Sequence, residues 1–132
     1  KAVAVAAPWV GGIYDGTDVF AFGVDNEGLH RVDIPVMCFF GTKDEASLAS
    51  FILPATRKLA GPTYVVELVD QPHVFEGKSW VDRNKWLLLF FDAFLKHDPA
   101  SLEKLASGRS MSGGNEDVQR FDYQKAAGSL TH

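Results

Sequence analysis

Ile34-Pro35-Val36-Met37-Cys38-Phe39-Phe40-Gly41-Thr42-Lys43-Asp44 is the stretch whose reading decides the fold. Val36 to Phe40 have no polar alternation, so the strand they predict is buried on both faces. That is the habit of a parallel strand inside an α/β sheet. Pro35 opens the strand and Gly41 ends it. An echo follows at Tyr64 to His73. There a β-branched and aromatic run reaches Val69, and Asp70-Gln71-Pro72 turns the chain. Each run delivers one ionisable residue, first Asp44 and then His73. In such sheets the working residues sit just beyond the carboxyl ends of the strands. Asp44 and His73 are therefore the candidate catalytic residues.

Working outward, Ala2 to Ala7 is small, apolar and continuous until Pro8, and predicts another buried parallel strand. Trp9 to Gly28 reads as a loop, with turn signals at Gly11-Gly12, Asp15-Gly16 and Asn26-Glu27-Gly28. Its Trp9, Tyr14, Phe20 and Phe22 either line a pocket beside Asp44 or serve as loop anchors. Between the two deciding strands, Pro54 would break a helix passing through it, so a fresh helix is expected from Pro54 to Ala60. Gly61-Pro62 ends it. Beyond His73, Glu76 to Asp82 reads as a loop and Arg83 to Lys96 as the longest helix. Trp86, Leu87, Leu88, Phe90, Phe91, Phe94 and Leu95 leave that helix little polar face, which predicts extensive burial. Ser101 to Ala106 reads as a short helix. From Ser107 onward no periodic pattern is found, and residues 107–132 form a tail, either poorly ordered or draped over a partner.

The whole chain has 132 residues, a net charge of -4, 46% apolar residues, ten Phe and three Trp, which fits about one domain with a sizeable core. No Lys/Arg cluster points to nucleic acid, and Trp86 to Phe91 is far too short to span a bilayer. Cys38 is alone and mid-strand, so there is no internal disulfide, and no zinc or other metal pattern or cofactor motif. About three parallel strands and two long helices cannot cover a parallel sheet on both sides. More sheet is expected from elsewhere, most simply a second chain. The opening at Lys1 directly on an apolar strand adds to the expectation of a processed chain, a trimmed one or half of a larger domain.

The Ile34–Asp44 run, then Gly61-Pro62-Thr63-Tyr64-Val65-Val66-Glu67-Leu68, then Gln71-Pro72-His73-Val74-Phe75, resembles the C-terminal half of an α/β-hydrolase. The likeness is closest to dienelactone hydrolase and platelet-activating-factor acetylhydrolase-like esterases, and covers roughly Ala2 to Lys96. It implies a doubly wound, mainly parallel sheet, with 1–106 as half of a hydrolase domain. It also implies a carboxylic ester hydrolase of the Ser-His-Asp type, without cofactor. Asp44 matches the triad acid and His73 the triad histidine. Trp9, Phe75 and Trp80 are the implied substrate-binding residues, although Phe75 and Trp80 are equally read as core. The nucleophile of that family sits on a Gly-x-Ser-x-Gly elbow preceding acid and histidine, and the oxyanion donors lie beside it. No Ser occurs before Ser47 here. Gly108-Arg109-Ser110-Met111-Ser112 lacks the second Gly and follows the histidine. The implied partner is an N-terminal half, carried as a separate chain, that brings the serine.

Other readings stand beside this one. A strand-end histidine is often structural, Asp44 could be a helix N-cap, and Asp70 is a rival acid only three residues from His73. The chain could be a non-catalytic α/β subunit or interaction domain. It could also be a small doubly wound domain using Asp44 for a metal or phosphoryl group, though no phosphate loop or acidic cluster supports that. His30, His97 and His132 are expected at the surface, and Cys38 as an inert buried thiol.

Overall fold

The computed structural model describes residues 1–107 and 118–124, apart from the side chains of Lys78, Trp80 and residues 118–124. In chain order the elements are β1 (Val3–Ala6), β2 (Gly11–Tyr14), β3 (Thr17–Phe20), a 3-10 segment (Val24–Arg31) and β4 (Val36–Gly41). Then come α1 (Ala49–Thr56), β5 (Thr63–Leu68), α2 (Lys78–Leu95), α3 (Pro99–Ala106) and β6 (Val118–Gln124). The main sheet runs β1-β4-β5-β6. β4 is parallel to β1, with Val3 opposite Val36 and Ala6 opposite Phe39. It is also parallel to β5, with Val36 opposite Thr63 and Gly41 opposite Leu68. The expected mixed α/β class with a three-stranded parallel core is thus present.

All six residues of β4 are buried, and their side chains alternate between two cores. Val36, Cys38 and Phe40 pack with Phe51, Ile52 and Ala55 of α1, and with Val10, Leu29 and Leu59. Met37 and Phe39 pack on the other side with Tyr64, Val66, Leu68, Trp86, Phe90 and Leu105. Phe90 is the hinge of an aromatic cluster, 5.9 Å from Tyr64 and 5.1 Å from Phe94 between ring centroids. A strand with no polar face demands such a sandwich, because each side must be hidden from water.

Several elements differ from the sequence expectation, each for an identifiable reason. No helix starts at Pro54: α1 begins at Ala49 and holds Pro54 inside it. Pro54 cannot donate to the carbonyl four residues back, yet Phe51, Ile52 and Ala55 bury against the sheet, which offsets the lost bond. The expected loop from Trp9 to Gly28 contains a hairpin. Asp15 and Gly16, at φ 50 and 74, form its two-residue turn, and β2 pairs antiparallel with β3. Both central residues left-handed is the type I′ arrangement that fits strand twist.

The long helix begins at Lys78 rather than Arg83, with Ser79 and Asp82 buried in its first turns. It is also less covered than its composition implies: Val81, Leu88 and Leu95, spaced by seven, are exposed on its outer side. β1 is only half-buried, with Val3 exposed, because among the described residues no strand pairs with its other edge. Finally, the tail carries β6, antiparallel to β5, with Thr63 opposite Gln124 and an irregularity between Glu67 and Leu68.

Candidate active site

Asp44 and His73 come together beyond the carboxyl ends of β4 and β5. The two loops are laced to each other before either residue is reached. Thr42 N–H donates to Leu68 O at 3.0 Å, Lys43 N–H to Gln71 O at 3.0 Å, and Asp70 N–H to Thr42 Oγ1 at 2.8 Å. Gly41 lets this happen. A Cβ there would lie 2.0 Å from the Gln71 carbonyl oxygen, so the β5 loop crosses directly over the end of β4. Gln71 Oε1 in turn accepts from Glu76 N–H at 2.7 Å, closing the far side of the His73 loop.

Asp44 divides its carboxylate between two tasks. Oδ1 accepts from the backbone N–H groups of Ala46 at 2.8 Å and Ser47 at 2.7 Å. Oδ2 faces His73 Nδ1 at 2.9 Å. The Asp44 side chain is fully buried while that of His73 is 52% exposed. A carboxylate oxygen accepts hydrogen bonds, so this contact puts the ring proton on Nδ1 and leaves the lone pair on Nε2. Among the described residues, the hydrogen bonds of His73 all run through Nδ1. The helix-cap alternative for Asp44 is partly met. It caps the turn at Ala46 and Ser47, but α1 is preceded by Leu48 and has no side-chain cap. Asp70 is not the partner of His73: it is left-handed at φ 56 and pairs with Lys43 at 3.3 Å on the surface.

Ser47 is the site residue that the sequence reading did not single out. Its hydroxyl donates to Ala7 O at 2.8 Å and lies 3.5 Å from His73 Nδ1. It is buried, its proton is committed to a carbonyl, and it approaches the wrong ring nitrogen for a nucleophile. No short-range pattern could reveal it, because its partner lies 40 residues away.

The implied substrate residues separate. Trp9 is 44% exposed and sits at an apolar groove of about 260 Å³ that also involves Val3, Val5, Phe22 and Cys38. Phe75 is 4% exposed and belongs to the core beneath α2. Trp80 falls in α2, and its side chain lies outside the described residues, as do Ser110 and His132. His30 and His97 are exposed. Burial pushes the Cys38 thiol up to about 12, consistent with an inert core residue. Among the described residues no group of three or more His, Cys, Asp or Glu could hold a metal ion, and no helix is long and apolar enough to cross a membrane. No protein-family model and no curated protein matches the chain.

Proposed function

We propose that this chain supplies the acid and the histidine of a Ser-His-Asp carboxylic ester hydrolase. The nucleophilic serine and oxyanion donors come from the N-terminal half of the same α/β-hydrolase fold, carried on the same polypeptide or on a second chain of a heterodimer. The observation that carries the reading is the buried Asp44 carboxylate on His73 Nδ1, at the carboxyl ends of adjacent parallel strands, with the imidazole half-open to solvent. The edge of β1, unpaired among the described residues and beside an apolar groove, also favours a neighbour that extends the sheet.

In this reading the serine hydroxyl of the companion half attacks the ester carbonyl while His73 Nε2 takes its proton. The oxyanion collapses, the carbon–oxygen bond to the alcohol breaks, and His73 Nε2 returns the proton to the departing alkoxide. Water then repeats the sequence, with its proton passing to Nε2, to release the carboxylic acid and the serine. Asp44 holds the ring with Nδ1 protonated and offsets the positive charge that His73 acquires. Trp9, with Phe22 beside it at the apolar groove, offers an aromatic surface to an apolar or aromatic ester. The test is hydrolysis of a chromogenic ester by the native assembly. Asp44→Asn is expected to lower kcat by about 10⁴-fold, as for triad acids, and a loss below about tenfold removes Asp44 from the triad.

A further inference from the structure

We infer that Ser47 is a positioning residue that pins three strand ends, those of β1, β4 and β5, around the His73 imidazole. This rests on the reading of Asp44 and His73 as the working pair, and adds a residue to it. The observations are three contacts made by one buried side chain and its backbone. Ser47 N–H donates to Asp44 Oδ1 at 2.7 Å, beyond β4. Its hydroxyl donates to Ala7 O at 2.8 Å, beyond β1. The same oxygen stands 3.5 Å from His73 Nδ1, beyond β5.

The direction of each bond fixes what Ser47 can do. The hydroxyl proton goes to Ala7 O, so the oxygen meets the His73 ring with lone pairs only. A lone pair beside Nδ1–H favours the tautomer that Asp44 also selects, and disfavours the one with Nδ1 bare. Asp44 at 2.9 Å is the primary acceptor and Ser47 the secondary one, which stops the ring from tilting away. Ala7 is left-handed at φ 48, and its N–H donates to Phe39 O at 2.7 Å. The Ser47 hydroxyl therefore also holds the unusual turn by which the chain leaves the edge strand for Pro8 and Trp9.

The test is nuclear magnetic resonance of the full chain with nitrogen-15 histidine, reading the His73 tautomer and the exchange of its Nδ1 proton with water. Ser47→Ala is expected to speed that exchange at least about fivefold, the weight of one net hydrogen bond, and Ser47→Thr to stay within about twofold of the parent. If Ser47→Ala leaves exchange and tautomer unchanged while Asp44→Asn alters both, Ser47 is only a structural anchor and the inference is overturned, while the Asp44–His73 pair stands. If Asp44→Asn also changes neither, the pair itself is wrong and the inference falls with it. Should Ser47→Ala not fold, Ser47→Val against Ser47→Thr repeats the comparison at equal shape: faster exchange in Val alone supports the inference, and equal exchange overturns it.

Discussion

Asp44 shows how much one side chain is asked to do. With one oxygen it caps a turn through two backbone N–H groups, and with the other it orients His73. Removing it strands three buried or half-buried donors at once. Asp44→Ala should therefore destabilise the chain by about 1–3 kcal/mol or more, read as a lower urea midpoint, because unsatisfied buried donors carry their full desolvation penalty. At Asp98 the Ser101 hydroxyl and backbone N–H hold the carboxyl below its usual range and cap α3. A depressed carboxyl contributes stability above its unfolded pKa and loses it as pH falls through the folded value. The melting-temperature gap between the parent and Asp98→Ala should thus narrow as pH falls below about 4; a gap that widens there contradicts the capping account. The Asp44–His73 contact was legible because each residue lies in the turn just after a mostly apolar strand. Ser47 was not, since its meaning lies in the carbonyl of Ala7, which only the folded sheet brings near.

Elements were legible where burial alone dictates them. β4 has no polar face, and its place between two parallel neighbours follows from that single fact. α1 was misread because Pro54 was weighed as a local breaker, while burial of Phe51, Ile52 and Ala55 against the sheet decides the outcome. This makes Pro54 a removable defect. Pro54→Ala should raise stability by about 1–3 kcal/mol, the interior-helix penalty less the entropy regained by the unfolded chain. A lowered urea midpoint would show instead that the ring makes contacts worth keeping. The opposite face depends on α2. Phe90→Ala opens a cavity among Tyr64, Phe91 and Phe94 and should cost about 3–5 kcal/mol. β6 escaped notice because its alternation, Arg120 and Asp122 against Phe121 and Tyr123, spans too few residues to stand out from its surroundings.

For the molecule as a whole, the described residues leave β1 at one edge of the main sheet and β6 at the other. β6 returns antiparallel along β5, and an apolar groove lies beside β1. A strand edge is a template for pairing with another chain, and the sequence hinted at it only through a count of elements against apolar content. The Asp44–His73 pair lies beyond the ends of β4 and β5, with Ser47 tying it to Ala7 just beyond β1. The central claim is that His73 serves a serine held by a companion. The most direct measurement is fluorophosphonate labelling of the native assembly, with the labelled residue located by mass spectrometry. The account predicts a single serine labelled in the companion half, and the label lost when His73 is changed to alanine. No labelled serine on any chain, or labelling that persists in His73→Ala, contradicts it.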